Sequence, residues 1–278
     1  MGPPSDFNVR RRRCVTGGFR WVRSPYRGVR IENSFIPVRG VGEATERSLW
    51  ERGITHWDDF DPDAVGSTTG ERVEAFIQRG RERLADGDAR FFHDAFPSSH
   101  RWRLYENFRS EACFFDIETT GLSQYSDDVT TVSLHRDGET RTYVNDPDPP
   151  VGDPLTVEAL REELRDAPLL VTFNGKRFDV PFLEEAFDLS LDAPHIDLMY
   201  PCKQLGLTGG LKAVERELGV ERDRPDVDGR EAVRLWRRYE RGAADALETL
   251  VSYNRDDAAN LRPLMDDVAA ALHEETFV

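Results

Sequence analysis

The most informative segment of the chain reads Ala112-Cys113-Phe114-Phe115-Asp116-Ile117-Glu118-Thr119-Thr120-Gly121-Leu122. An apolar run leads into Asp-x-Glu and then into a Thr-Thr-Gly turn, which is the pattern of a buried strand. Side chains two positions apart on a strand point to the same face, so Asp116 and Glu118 are predicted to lie side by side. Two buried like charges favour a divalent cation between them. The alternative is an acidic pair on an edge strand that faces solvent.

Two later segments supply further acidic residues in defined structural contexts. Asn174-Gly175-Lys176-Arg177-Phe178-Asp179 follows an apolar run over 169–173, so Asp179 comes just after a second predicted strand. Tyr253-Asn254-Arg255-Asp256-Asp257 lies in a helical pattern. Tyr253 and Asp257 are four residues apart and therefore share one face of that helix.

Composition limits the class of protein. The 278 residues, 38% of them hydrophobic, suit one large domain or a medium domain with a smaller companion. No apolar run approaches the roughly 20 residues of a membrane span, and the N-terminus lacks the apolar core of a signal peptide. Cys14, Cys113 and Cys202 are too far apart for a disulfide framework or a zinc site. We therefore expect a cytoplasmic protein that does not bind a membrane.

The net charge of −15 is unusual for a protein that binds nucleic acid, because it repels phosphates at a distance. The lysines are Lys176, Lys203 and Lys212, and arginine supplies the remaining positive charge. A surface so acidic and so poor in lysine indicates a halophilic source, where high salt screens long-range fields within a few ångströms. A GC-rich genome is the alternative, since it favours arginine over lysine, but it does not require the excess of Asp and Glu.

Residues 1–30 are predicted to be a basic, disordered tail. Residues 1–39 contain nine arginines and two acidic residues, and aromatic residues are interleaved among them. Such a segment can bind phosphates and stack on bases as a disordered arm. A tail without this role, or a start codon assigned too far upstream of a folded protein that begins near Val29, explains the composition equally well.

Residues 31–88 are predicted to form a small all-α domain, joined to the rest of the chain by a packed linker over 89–110. In it, Gly40-Val41-Gly42 precedes a helix that ends at Gly53, which resembles a helix-hairpin-helix element. The backbone amides of Gly40 and Gly42 would bind a phosphate oxygen at the helix N-terminus without regard to base sequence. Alternatively, these glycines are only turn and cap residues.

From residue 111 to about 274 the pattern is that of a mixed α/β domain. Short β-rich runs at 129–134 and 140–144 flank a turn and would form a hairpin or meander with the first strand. Helices are predicted at 156–166, after 180, and at 211–218, 229–239 and 244–272, and strands at 169–173 and near 195–198. Three antiparallel strands followed by alternating helices and strands is the order of a ribonuclease H-like fold.

The segments "FNGKRFD", "HIDLMY", "GGLKAVERELGV" and "YNRDDAANL", with the Asp-x-Glu stretch, resemble the motifs of DEDD 3′–5′ exonucleases in the tyrosine-containing subclass (DEDDy). The likeness covers residues 111 to about 270 and is greatest to the YprB-type ribonuclease H-like group and the proofreading domains of family B polymerases. It implies that Asp116, Glu118, Asp179 and Asp257 hold two Mg²⁺ or Mn²⁺ ions, which activate water and stabilise the leaving 3′ oxygen. Tyr253 would orient or help deprotonate the water.

Polar residues beside these motifs are candidate nucleic-acid contacts. Asn174 would hydrogen-bond near the terminal nucleotide or brace the loop before Asp179. The lysines and arginine among the candidates are equally compatible with ordinary surface charges. The full set of candidates beside the motifs is Thr119, Asn174, Lys176, Arg177 and Lys212.

Three further residues receive structural interpretations. Asp256 precedes Asp257 but does not share the face of Tyr253, so we interpret it as a solvated helix residue. His195 and Asp197, at a predicted strand end, would either support the ligands from outside or form a hydrogen-bonded structural pair, and we favour the second.

The resemblance favours a two-metal 3′–5′ exonuclease acting on DNA or RNA, with single-stranded 3′ ends as substrate and a helicase or other repair protein as candidate partner. A non-catalytic nucleic-acid-binding or helicase-associated module on the same scaffold is the alternative, and an endonuclease is a third hypothesis. The complete set of four carboxylates with Tyr253 favours catalysis, because a decayed site has no chemical reason to keep five compatible groups.

Overall fold

The computed structural model describes residues 29–277, so nearly all of the predicted tail over 1–30 lies outside the described residues. Within that range one sheet has the strand order β4-β3-β2-β1-β5-β6. Strands β1, β2 and β3 are antiparallel neighbours, whereas β5 and β6 run parallel to β1. The strands are β1 (Cys113–Thr119), β2 (Val129–Arg136), β3 (Glu139–Val144), β4 (Asp153–Pro154), β5 (Leu170–Thr172) and β6 (His195–Asp197).

Residues 29–277 also form ten α-helices. None of them combines the length and the apolar composition that a membrane-spanning helix needs. They are α1 (Glu43–Glu51), α2 (Ser67–Ala85), α3 (Ala89–Ala95), α4 (Tyr105–Phe108), α5 (Val157–Arg165), α6 (Asp179–Phe187), α7 (Met199–Gln204), α8 (Leu211–Leu218), α9 (Gly229–Tyr239) and α10 (Ala244–Phe277).

This order of elements confirms the predicted ribonuclease H-like fold. The observed bounds of α8 and α9 equal the predicted ones, because each helix has a strong local end signal. Gly219 ends α8 in the left-handed conformation, with φ +73°. Asp228 caps the start of α9 by accepting hydrogen bonds from the backbone N–H groups of Arg230 and Glu231.

Alternation along β1 separates its two faces. Phe115 and Ile117 belong to a buried cluster with residues of α5 and α6, whereas Phe114 belongs to a cluster with residues of α10. Asp116 and Glu118 have the same parity as Phe114 and therefore face α10, which packs across β1 and β2. The sheet and α10 together position the acidic side chains.

The N-terminal helical part packs against the same helix. Its buried residues Ile31, Phe35 and Trp57 share one hydrophobic cluster with Leu261 and Leu272 of α10. The predicted linker over 89–110 contains α3, α4 and a short 3₁₀ helix between them, and its large apolar side chains are mostly buried.

A buried ion pair fixes α1 to this linker. Arg103 Nη1 donates to Glu46 Oε2 at 2.8 Å, and both side chains are 1% exposed. The other oxygen of Glu46 accepts hydrogen bonds from the backbone N–H groups of Phe35 and Ile36 at 2.7 and 2.9 Å. Because both charges are removed from water, each depends on the other for compensation.

Candidate metal centre

Three acidic side chains converge where β1 meets the middle of α10. Asp116, Glu118 and Asp257 each offer one carboxylate oxygen, and these oxygens lie within 4.8 Å of one another. Glu118 and Asp257 are buried, and Asp116 is half-buried. The extended backbone of β1 presents the first two on one face, and α10 brings the third to them across that face.

Asp179, the fourth predicted ligand, is the first residue of α6. Its side chain is buried, and Oδ1 accepts a hydrogen bond from the backbone N–H of Ile117 at 3.3 Å. Ile117 lies between Asp116 and Glu118, so Asp179 is beside the same part of β1. It is not one of the three residues whose oxygens lie within 4.8 Å.

Burial, and then neighbouring negative charges, raise the pKa of all four carboxyl groups. Burial, followed by the charges of Asp257 and Asp179, raises the pKa of Asp116 and Glu118 well above the usual range. Burial raises the pKa of Asp179 to about 7 and that of Asp257 to about 6. The fully ionised set is therefore unfavourable without an added positive charge. A cluster with only oxygen donors and excess negative charge fits Mg²⁺ or Mn²⁺, which prefer such ligands.

Tyr253 lies one helical turn before Asp257 on α10, and its side chain is buried. Burial, and then the charge of Asp257, raises the pKa of its phenol, so the hydroxyl keeps its proton near neutral pH. Two cations flank the ring: Lys212 Nζ is 4.8 Å and Arg222 Cζ is 5.7 Å from its centroid. The structure thus places a protonated hydroxyl group beside the carboxylates.

Three residues of the centre were not singled out from the sequence. Asn254 hydrogen-bonds Asp116, and Arg222 pairs with both Asp257 and Glu215. Asn254 and Glu215 lie within the segments that carry the DEDD resemblance, so a signal for them was present. Arg222 lies just beyond such a segment, in the loop between α8 and α9, where sequence pattern gives no partner.

The predicted nucleic-acid contacts near the centre have defined positions. The Thr119 hydroxyl donates to the Gly121 carbonyl at 2.5 Å and so shapes the turn after β1. Asn174 adopts a left-handed conformation with φ +66°, and its N–H donates to Asp197 Oδ1 at 2.7 Å. Lys176 is exposed on the same loop, but its ammonium group is partly buried, and this burial lowers its pKa. The hydrogen bonds of Thr119 and Asn174 brace the two loops that follow β1 and β5.

Gly40 and Gly42 lie at the start of α1. Gly40 has φ +101°, a conformation that favours glycine, and Gly42 is the N-terminal cap residue of α1. Gly40 lines a cavity of about 460 Å³ between the α1 region and the start of α2, and none of the four acidic residues of the centre lines it. Gly40 and Gly42 are therefore not part of the cluster of acidic residues.

Asp256 is not the solvated residue that we expected. It is half-buried and accepts hydrogen bonds from the backbone N–H groups of Asp223 at 3.0 Å and Arg224 at 3.2 Å. The interpretation was wrong because the loop after α8 folds back over α10, which the helical pattern of α10 does not reveal. Asp256 thereby holds the loop that contains Arg222.

His195 and Asp197 are both buried and hydrogen-bonded, but to different partners. His195 Nε2 bonds the Thr172 hydroxyl at 2.8 Å, across the β5–β6 pair. Asp197 accepts hydrogen bonds from the backbone N–H groups of Asn174, Lys176 and Met199. Asp197 thus braces the loop that leads to α6 and its first residue.

Solved structures that match part of this chain include nucleases and a polymerase. The apo form of a nuclease is 22% identical over 61% of this chain and 77% of its own, with a TM-score of 0.43. The family B DNA polymerase from the archaeon Pyrobaculum calidifontis is 18% identical over 57% of this chain and 27% of its own, with a TM-score of 0.43. Brucella melitensis NrnC with bound Mg²⁺ is 20% identical over 62% of this chain and 78% of its own, with a TM-score of 0.41.

No curated protein matches the chain. The family model of the RNase H superfamily matches residues 113–269, from the first residue of β1 to the last third of α10. The matched segment is more than half of the sequence and contains all six strands and the four acidic residues described above. The chain belongs to the RNase H superfamily.

Proposed function

We propose that the protein is a metal-dependent 3′–5′ exonuclease that hydrolyses phosphodiester bonds of DNA or RNA. The observation that supports this most is the convergence of Asp116, Glu118 and Asp257, whose carboxylate oxygens lie within 4.8 Å of one another. Asp179 stands beside them on α6. These carboxylates repel one another when they are ionised, and a hard divalent cation bound between them would offset that repulsion.

The four carboxylates would hold Mg²⁺ or Mn²⁺, as two ions. When bound, the ions supply water activation and neutralise charge at the phosphate. The protein's own contribution is to fix the ligands: β1 sets Asp116 and Glu118, α10 sets Asp257, and the start of α6 sets Asp179.

Tyr253 would orient the attacking water. Its raised pKa keeps the hydroxyl protonated, so this group can donate one hydrogen bond and accept another. Lys212, half-buried at the start of α8 and 4.8 Å from the Tyr253 ring, would contact the phosphate next to the reacting one. Asn174, Lys176 and Thr119, on the loops that follow β5 and β1, would contact the terminal nucleotide.

The N-terminal helical part would be a second contact with the substrate. The backbone amides at Gly40 and Gly42 precede α1, and the N-terminus of a helix binds anionic oxygens. We propose that this helix-hairpin-helix-like element binds the strand without regard to sequence, that single-stranded 3′ ends are the substrate, and that a helicase or other repair protein supplies them.

The test uses single-stranded DNA and RNA labelled at the 3′ or the 5′ end, incubated at high KCl with Mg²⁺, Mn²⁺ or EDTA, because the acidic surface suits high salt. Glu118→Gln serves as the inactive control. The proposal expects 5′-labelled strands to shorten stepwise in metal and to stay intact in EDTA. The 3′ label should leave as a mononucleotide from the first turnover.

Internal cleavage from the start of the reaction would instead indicate an endonuclease. If no substrate is cut while the wild type still retains labelled strands in a filter-binding assay, the protein is a non-catalytic nucleic-acid-binding module. Equal cleavage by the wild type and Glu118→Gln would assign the activity to a contaminant.

A further inference from the structure

We propose that Arg222 is a positioning residue of the carboxylate centre, which holds the Asp257 carboxylate in place for the cation. This role assumes the metal-dependent reaction proposed above. Arg222 lies in the loop between α8 and α9, outside the strands and the helix that carry the predicted ligands. Its side chain is nevertheless only 6% exposed.

The Arg222 guanidinium contacts two buried carboxylates at once. Nη2 donates to Asp257 Oδ1, and Nε and Nη2 donate to the two oxygens of Glu215. The planar guanidinium suits this arrangement because its donors are fixed in a fork that matches a carboxylate. A carboxylate has two oxygens with about four acceptor positions, so the bond at Oδ1 still leaves positions of Asp257 for a cation.

Glu215 fixes the arginine from the other side. It belongs to α8, is buried, and also accepts a hydrogen bond from Asn260 Nδ2 on α10 at 3.0 Å. Asn260 lies one turn after Asp257, so the group formed by Glu215, Arg222 and Asn260 joins α8 and the following loop to the ligand-bearing turn of α10. The position of Arg222 is therefore set independently of Asp257.

Stability alone is a poor explanation for this arrangement. Burying charges costs free energy even when they are paired, and apolar replacements of a buried ion pair are often as stable. The third guanidinium nitrogen, Nη1, is also buried and has no hydrogen-bond partner within residues 29–277. The buried guanidinium lowers the stability of the fold but contacts a predicted metal ligand. A role in positioning that ligand explains its presence better than stability does.

The charges around the centre agree with this role. Burial raises the pKa of Asp257 to about 6, and the charge and hydrogen bond of Arg222 are the largest effects that oppose the rise. Burial and the neighbouring carboxylates raise the pKa of Glu118, whereas Lys212 and Arg222 act to lower it. Arg222 thus supplies a positive charge in direct contact with Asp257, within a cluster that is otherwise acidic.

The test measures Mn²⁺ binding by titration calorimetry, without nucleic acid, for the wild type, Arg222→Gln and Arg222→Lys. Residues that orient metal ligands typically contribute about 10- to 100-fold in affinity, so we expect Arg222→Gln to bind Mn²⁺ more weakly by that factor. Arg222→Lys keeps the buried charge but cannot span both carboxylates, so we expect it to fold and to lose part of the affinity. The matched control is Arg216→Gln, an exposed arginine on α8, which should bind as the wild type does.

Melting temperatures in EDTA show whether each variant is folded, and Arg222→Lys carries the test if Arg222→Gln is not. Unchanged or tighter Mn²⁺ binding by a folded Arg222 variant would overturn the proposal. If the wild type binds Mn²⁺ but cleaves no nucleic acid, the exonuclease proposal fails while the affinity comparison still decides the role of Arg222. If the wild type binds no Mn²⁺, both proposals fail.

Discussion

Asn254 of α10 holds Asp116 of β1 by two hydrogen bonds. Its side-chain Nδ2 donates to Asp116 Oδ2 at 2.9 Å and to the Asp116 backbone carbonyl at 3.2 Å. Asn254 is fully buried and lies between Tyr253 and the turn that carries Asp257. The same helix therefore orients a carboxylate on the strand and supplies one of its own.

This contact predicts that Asn254→Ala weakens both the fold and the metal centre. A lost buried hydrogen bond costs about 1–3 kcal/mol of unfolding free energy, and a lost ligand-orienting contact costs about 10- to 100-fold in metal affinity. Urea unfolding and Mn²⁺ calorimetry measure the two effects. Asn145→Ala is the control, because that amide donates to the Val129 carbonyl at 2.8 Å and, within residues 29–277, hydrogen-bonds no acidic residue of the centre. Equal Mn²⁺ affinities for both variants would contradict the prediction.

Tyr253→Phe removes the hydroxyl beside the carboxylates and keeps the ring that contacts Lys212 and Arg222. Because positioned proton donors and acceptors contribute about 10²- to 10⁴-fold to a rate, we expect kcat to fall by about 10²-fold or more. Mn²⁺ affinity should fall by far less than the rate, because the phenol is not one of the predicted ligands, although its hydroxyl hydrogen-bonds Asp257. Single-turnover cleavage gives the rate. A variant as fast as the wild type would exclude a role for the hydroxyl.

The pKa of Asp179 predicts how the metal-free protein responds to pH. Its folded value of about 7 lies above the value of about 4 expected for an unfolded chain. Between these values the folded protein keeps a proton that the unfolded chain has lost. The free energy of unfolding in EDTA should therefore fall as the pH rises from about 4 to about 7.

Asp179→Asn isolates this effect, because the amide cannot ionise while its oxygen can still accept the hydrogen bond from Ile117. In EDTA, the melting temperature of the variant should increase relative to that of the wild type as the pH rises from about 5 to about 8. Saturating Mn²⁺ should reduce the difference by stabilising the wild type. A constant difference between the two proteins across this range would contradict the assigned pKa.

The buried ion pair of Glu46 and Arg103 predicts a large loss of stability far from the carboxylates. Arg103→Met leaves Glu46 buried without its partner, which costs about 3–5 kcal/mol of unfolding free energy. Arg101→Met is the matched control, because Arg101 is half-buried and, among the described residues, donates only to the His93 backbone carbonyl. Thermal unfolding compares the two. A similar small loss for both variants would show that the buried pair contributes little.

Local signals made most of the fold predictable. The Asp-x-Glu stretch identified β1 and the face that carries Asp116 and Glu118, because strand alternation depends only on neighbouring residues. The predicted bounds of α8 and α9 coincide with local end signals in the structure, the left-handed Gly219 after α8 and the capping Asp228 before α9. By contrast, β4 (Asp153–Pro154) lies in a Pro- and Asp-rich loop and pairs with β3 for only two residues, so no run of strand-forming residues marks it.

The candidate site was predictable only where a motif marks it. Asp257 was predicted as a ligand because it lies four residues after Tyr253 on the same helix face. The contact from Asn254 to Asp116, by contrast, spans 138 positions of the sequence. The contact from Arg222 to Asp257 depends on how an irregular loop folds back on α10, which neither periodicity nor spacing encodes. The hydrogen bonds that Asp256 accepts from the same loop were missed for the same reason.

Two adjacent aspartates provide the most direct test of the carboxylate centre. Asp257 contributes an oxygen to the cluster with Asp116 and Glu118, whereas Asp256 accepts hydrogen bonds from the backbone of the loop after α8. The measurement is the Mn²⁺-dependent shortening of 5′-labelled single strands by the wild type, Asp257→Asn and Asp256→Asn. We expect Asp257→Asn to lose about 10²-fold or more of the rate, because metal ions contribute several kcal/mol to such reactions, and Asp256→Asn to lose far less. A folded Asp257→Asn protein that degrades strands at the wild-type rate would contradict the metal centre.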